Sequence, residues 1–235
     1  MLRDFLQRKL FPAEPFHQDA FHEAIRARLP RCGKVLDLGC GDHAALKPYR
    51  TAEREVWGTD FHRHPRLAEP EWFRLLGPNG AIPFPDNTFD LIASDWVIEH
   101  VALPRVFLSE VKRVLKPGGR YVAHSISGAH YLTWVRRLFD LAPHELVQEV
   151  IYRLYRREHH DTFPTHYRLN TVGQIEAGAR AAGLEIEALE FFATQHYFHF
   201  SSVLETLAIV ADRFLECFGT GLGRIYFVLV LRKSA

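Results

Sequence analysis

The stretch VLDLGCGDHAAL, residues 35–46, is an apolar run that breaks at Gly39-Cys40-Gly41 and then resumes with helical spacing. KVLDL reads as a buried strand that stops at Gly39. Two glycines one residue apart let the backbone turn sharply and come close to a ligand, and the helix that follows would point its positive end at that ligand. Strand, glycine turn and helix start, in that order, mark the first unit of an α/β sheet. His43 stands where a third glycine often sits.

Composition narrows what surrounds this unit. The chain has 235 residues, room for one α/β domain with elaborations, and its 47% hydrophobic content supports a sizeable core. Lys plus Arg (29) nearly balances Asp plus Glu (28), so nothing favours a nucleic-acid partner. Cys32, Cys40 and Cys217 are odd in number and lack CxxC spacing, which fits a reducing compartment. MLRDFLQRKL is charged throughout, unlike a signal peptide, and no stretch approaches the ~18 apolar residues of a membrane span. The expected location is the cytoplasm, with no integral membrane segment.

Outward from the opening stretch, strand and helix signals alternate. EVWGTD reads as a second strand ending at Asp60, WFRLL as a weaker third and FDLIAS, residues 89–94, as a fourth. Between Asp60 and the third strand, Pro65 and Pro70 leave room for a short helix at most. Leu103, Phe107, Val111, Val114 and Leu115 share one helical face across residues 103–116. Pro117-Gly118-Gly119 then turns the chain into a fifth strand, RYVAHSI. TVGQ, residues 171–174, has the spacing of a capping box and opens a helix ending at Gly183. LEIEALEFF alternates like a strand, and RIYFVLVL reads as the last one. Residues 1–33 form an N-terminal helical segment, and residues 129–170 and 193–222 are insertions.

The glycine turn has two candidate ligands. A dinucleotide would place its pyrophosphate there, and Gly39-Cys40-Gly41-Asp42-His43-Ala44 matches G-x-G-x-x-A, a weak pattern by itself. Asp42 would then repel the phosphates. S-adenosylmethionine carries positive sulfonium and ammonium groups and is compatible with acidic surroundings. Asp37 is placed to bind the ammonium, and Asp60, ending the second strand, is placed for a ribose diol. That last geometry suits NAD equally.

Residues 35–126 resemble the core of class I S-adenosylmethionine-dependent methyltransferases. VLDLGCG is similar to their first motif, GTDF to their acidic second, IPFPDNTFDLIASDWVIEHV to their fourth-strand region and EVKRVLKPGGRYVAHS to their fifth. The resemblance implies a Rossmann-like seven-stranded α/β sheet with helices on both faces and an antiparallel last strand, all within a single domain spanning residues 1–235. It implies S-adenosyl-L-methionine as cofactor, held by Asp37, Gly39, Cys40, Gly41 and Asp60. Phe61 is expected on the adenine face, Asn79 as a substitute for an aspartate near the end of strand three, and Ser94 and Asp95, at the end of strand four, as further cofactor-binding residues. The third glycine position is permissive in the family, so His43 reads as an exposed first-turn residue.

On the acceptor side, residues 129–170 are expected to form a lid that excludes water and aligns the reactants. They carry His130, Tyr131, Trp134, His159, His160, His166 and Tyr167. In SSVLETLAIVADRFLECFG, the residues Leu204, Leu207, Ala208, Ala211, Phe214, Leu215 and Phe218 share one face, opposite Glu205, Asp212 and Glu216. That apolar face is expected against the body of the protein. The sharper alternatives are a homodimer contact and a surface for a lipid-like acceptor, and the acidic face argues against adhesion to an anionic membrane. The leading expectation is a methyltransferase acting on a small or lipid-linked acceptor, at oxygen because several histidines are available as bases. His124, ending strand five, and His100 in WVIEHV are the candidate catalytic residues. Some O-methyltransferases of this fold hold a metal through Glu-x-x-Glu-His. Here Trp96 stands at the first glutamate's place, so the site reads as metal-free. The alternatives are an NAD-dependent oxidoreductase or epimerase and a catalytically inactive cofactor-binding regulatory homologue.

Overall fold

The computed structural model describes residue 9 and residues 15–42, 45–139, 164–193 and 200–235. Seven strands form one sheet in the order β3-β2-β1-β4-β5-β7-β6. They are β1 (Gly33–Leu38), β2 (Arg54–Asp60), β3 (Phe73–Leu75), β4 (Phe89–Asp95), β5 (Leu115–Ile126), β6 (Glu185–Phe192) and β7 (Tyr226–Arg232). All pairings from β3 to β5 are parallel, whereas β7 runs antiparallel to both β5 and β6. This is the expected topology, and it puts a switch point between β1 and β4. In open α/β sheets a ligand binds in the crevice beyond the carboxyl ends of such strands.

The central strands are buried on both faces, so adjacent residues enter different cores. Val35, Leu91, Val122 and Val228 meet Phe21 and Ile25 of helix α1 (His17–Arg26) on one side. Leu36, Ile92 and Tyr121 meet Leu108 and Val111 of α2 (Pro104–Val114) on the other. Helix α3 (Tyr131–Phe139) follows β5, and α4 (Val172–Ala182) packs beside α2. The capping box is present in full: Thr171 accepts from Gln174 N–H, and Gly183 ends α4 in the left-handed conformation at φ 64°.

Three elements differ from expectation. No α-helix follows β1 among the described residues. The chain makes only a 3₁₀ turn at Lys47–Tyr49, with Pro48 near its start, and α1 lies across β5 and β7 on that side of the sheet. Residues 43 and 44, and with them His43, lie outside the described residues. The helix read over residues 103–116 stops at Val114, because Leu115 already pairs with Phe89.

The largest difference is in α5 (Ser202–Leu215). Its buried side chains are Glu205, Ala208, Ile209 and Asp212, while Leu204, Leu207 and Phe214 of the expected inner face are exposed. Sequence periodicity shows that a helix has two faces, but not which of them meets the body. Here Asp212 points inward, where it accepts from Nε2–H of the buried His130 at 3.1 Å. A short helix α6 (Thr220–Gly223) leads from α5 to β7. No helix among the described residues is long and apolar enough to cross a membrane.

Candidate functional site

The glycine turn hangs from its neighbouring strand. Gly39 N–H and Cys40 N–H both donate to Thr59 O, at 2.8 and 3.1 Å, which places residues 39–41 over the end of β2. Gly39 and Gly41 hold positive φ, 75° and 52°, a region that only glycine enters freely. A Cβ on Gly39 would lie 2.4 Å from Val97 Cγ2, whereas one on Gly41 would meet nothing within 4 Å. Among the described residues, the space above Gly41 is open.

Asp60 is locked to this turn. Its Oδ2 accepts from Gly41 N–H at 3.0 Å, and its Oδ1 accepts from Phe61 N–H at 2.7 Å. Asp37 is buried at the end of β1. Burial, followed by the charges of Asp37 and Asp60, pushes the Cys40 thiol well up, so Cys40 remains a neutral lining group. The Asp37, Asp42 and Asp60 carboxylates around the turn disfavour a pyrophosphate and favour a cation. This donor set fits S-adenosylmethionine, with carboxylates for the ammonium and the ribose diol.

The structure brings Phe61 and Asn79 to the same side. Phe61 is exposed, and its ring edge lies 3.7 Å from where a Cβ on Gly80 would stand. Asn79 is exposed in the Pro78–Gly80 turn at φ 59°, a conformation asparagine tolerates better than most residues. Ser94 is placed otherwise. It is fully buried, with Oγ 2.6 Å from the Tyr121 hydroxyl, so it belongs to the core beneath the site.

Asp95 heads a chain that the sequence reading missed. Its Oδ1 accepts from His124 Nδ1–H and its Oδ2 from Gln18 Nε2–H, both at 2.7 Å. The other ring nitrogen of His124, Nε2, lies in hydrogen-bonding contact with Nδ1 of His17 at 2.9 Å. His17 stacks on Tyr226, with centroids 3.8 Å apart. The expectation of His124 as a base therefore meets a ring with no exposed surface and both nitrogens engaged. His17, Phe21 and Ile25 form one stripe on α1, so the burial of His17 was legible in the sequence. Its partner, 107 residues away, was not.

His100 has a different task. Its Nδ1–H donates to Pro164 O at 2.8 Å, and Glu99 O accepts from His166 N–H and Tyr167 N–H. The segment after β4 thus clasps the chain returning to α4. Burial raises the Glu99 carboxyl above the usual carboxylate range, against the opposing pull of the Ser125 hydroxyl that donates to it. Of the candidate lid residues, His130 and Tyr167 are buried, His166 and Trp134 are exposed, and His159 and His160 lie outside the described residues.

The pair joining α1 to the sheet carries a pH dependence. Burial, then the neighbouring His124, lowers the His17 pKa from 6.5 to about 3. Above pH 6.5 the folded and unfolded chains both hold this ring neutral. Between pH 6.5 and about 3 the unfolded chain takes up a proton that the folded one refuses, so stability falls as pH falls. In chemical denaturation, wild type is expected to lose up to about 1.4 kcal/mol per pH unit relative to His17→Phe within that window. Parallel stability curves for the two proteins would contradict this assignment.

Comparison with known proteins agrees with the geometry. Residues 36–123 match the family model described as a methyltransferase domain. The ubiquinone/menaquinone biosynthesis C-methyltransferase of Desulfotalea psychrophila is 38% identical over 103 residues, covering 40% of this chain and 41% of that protein. The chain thus matches about two fifths of the length of such curated relatives. A solved S-adenosylmethionine-dependent methyltransferase from Methanosarcina mazei superposes with a TM-score of 0.60 at 19% identity, covering 90% of this chain and 97% of the other. A Haemonchus contortus phosphoethanolamine N-methyltransferase, solved with S-adenosyl-L-methionine, gives 0.56 at 16% identity, covering 98% of this chain and 56% of that one. Residues 36–123 thus match a methyltransferase domain, and the seven-stranded sheet has the fold of the solved S-adenosylmethionine-dependent methyltransferases.

Proposed function

Starting from that core, we propose that this protein transfers a methyl group from S-adenosylmethionine to a small or lipid-linked acceptor. The observation that carries the reading is the Asp60 carboxylate fixed across the glycine turn by Gly41 N–H at 3.0 Å, with Asp37 buried nearby at the end of β1. The cofactor, when bound, supplies an electrophilic methyl group. The chain's own residues hold and orient it. Asp60 would accept from the ribose hydroxyls through lone pairs that Gly41 and Phe61 leave over, and Asp37 would attract the ammonium. Phe61 and Asn79 would flank the adenine.

Of the segment expected to cover the acceptor, residues 140–163 lie outside the described residues. The bonds from Glu99 and His100 to residues 164–167 anchor one end of that segment beside β4. In this arrangement His124 acts by positioning Asp95, and His100 acts by holding the returning chain. Carbon is favoured over oxygen as the methylated atom. The preference for oxygen counted histidines as bases, and the best placed of them is sealed, while the Desulfotalea relative is named for transfer to carbon.

Calorimetry is expected to show binding of S-adenosylhomocysteine and no comparable binding of NAD. Methyl incorporation from labelled S-adenosylmethionine should then be followed over phenolic, quinol and lipid-extract acceptors. Tight NAD binding with no response to S-adenosylhomocysteine would overturn the reading. Cofactor binding without incorporation into any of these acceptors would favour a regulatory homologue.

A further inference from the structure

Helix α5 has three charged residues, and the two acidic ones, Glu205 and Asp212, are turned inward and buried. On its outer side Val203, Leu207, Val210 and Phe214, spaced four, three and four residues apart, form one stripe that Phe218 extends. These five side chains are between 49 and 68% exposed. Burying a carboxylate costs several kcal/mol unless it is well paired, and Asp212 Oδ2 has no hydrogen-bond partner among the described residues. Rotating the helix by half a turn would put the stripe against the body and the carboxylates in water. The observed orientation opposes that preference, and the body holds it through the His130–Asp212 bond and the close backbone of Gly223, where a Cβ would lie 2.1 Å from Asp212 O. A helix mounted against its own pattern, with an apolar stripe outward, marks an interaction surface.

The stripe runs on into a groove. Phe218 belongs to both, and the groove, of about 860 Å³, continues over Leu222, Leu189, Phe191 and Phe192 towards Pro15 and Ala129. Its position is set by the sheet. Phe192 pairs with Tyr226 at the carboxyl edge, and Tyr226 stacks on His17. The groove therefore opens on the same edge as the glycine turn, on the acceptor side of the switch point. Among its described lining residues the charged ones are Arg224, held by Glu216 and by Phe191 O, and the exposed Glu190. A largely apolar open channel suits an apolar chain.

We propose that the outer face of α5 docks on a lipid bilayer, with the groove opening toward the acyl chains. The proposal rests on the reading of a lipid-linked acceptor and identifies how such a molecule is reached. Pairing of α5 with a second copy would cover the stripe but leave the groove without an occupant, whereas a bilayer accounts for both. The only charged residue on the outer side of the helix is Arg213, braced by Glu216, and its sign suits anionic headgroups. Of the carboxylates that argued against such a surface, Glu205 and Asp212 point away from it and Glu216 is paired with Arg213 and Arg224.

The full chain is expected to co-sediment with phosphatidylcholine–phosphatidylglycerol vesicles. In the double variant Leu207→Glu, Phe214→Glu, partitioning should fall about tenfold or more. Both residues are exposed, so circular dichroism, melting temperature and S-adenosylhomocysteine affinity should be unchanged. Wild type remaining in the supernatant, or a double variant that sediments equally well, would overturn the proposal. So would a vesicle-free dimer that the double variant dissolves, because the face would then be an interface between copies. Loss of S-adenosylhomocysteine binding with vesicle binding intact would remove the methyl-transfer reading and leave the docking surface standing.

Discussion

Gly39→Val is expected to abolish measurable binding of S-adenosylhomocysteine, a loss of about 100-fold or more. The backbone at Gly39 has φ 75°, where a β-branched residue is a severe outlier. Its Cβ would come within 2.4 Å of Val97 Cγ2, too close for any rotamer to relieve. Strain of this kind costs ~1–3 kcal/mol before the clash is added. Relief requires the turn to leave Thr59 O, and that movement also breaks the Gly41–Asp60 bond. Gly41→Ala is the control. At φ 52° it carries the backbone cost of ~1–2 kcal/mol, but its Cβ meets nothing within 4 Å. Calorimetry should rank the three proteins as wild type, Gly41→Ala and Gly39→Val in falling affinity, with melting temperatures confirming that each is folded. A Gly39→Val protein that binds like wild type would show that the cofactor lies elsewhere.

Asp60→Ala should weaken S-adenosylhomocysteine binding by about 1.5–3 kcal/mol, the usual range for hydrogen bonds to a charged group. Alanine removes the acceptors for the ribose hydroxyls and also frees Gly41 N–H and Phe61 N–H. Asp60→Asn retains a carbonyl that can accept from one of these amides, so it should fall between wild type and Asp60→Ala. A ligand lacking the ribose hydroxyls separates the two contributions. Its affinity should respond to Asp60→Ala only through loosening of the turn. Equal losses for both ligands would mean that Asp60 organises the loop and does not touch the ribose.

Much of the frame was legible because its causes are local. Two-sided burial made KVLDL, FDLIAS and RIYFVLVL read as strands, and each is found in the sheet. The positive φ at Gly39 and Gly41, the capping box at Thr171 and the left-handed Gly183 are properties of a few consecutive residues. Asp60 could be placed because the end of a strand is a position along the chain. The proposed cofactor half of the site, Asp37, Gly39, Gly41 and Asp60, rests on such local signals.

The acceptor half depends on contacts between distant segments. Nothing around His124 announces that His17 and Gln18 close over it, because a hydrogen bond across 107 residues leaves no periodicity to read. Among the described residues only a 3₁₀ turn follows β1, and α1 lies across β5 and β7, which carries His17 to the carboxyl edge. Helix α5 shows the limit most plainly. Its sequence determined that one face would be apolar and the other acidic, since side-chain spacing is an intrinsic property of a helix. Only the tertiary structure decided that the acidic face lies inside. That choice was made by a histidine far from it in the chain and by the close-packed Gly223 that follows it, and the orientation of a helix about its axis is set by what it meets.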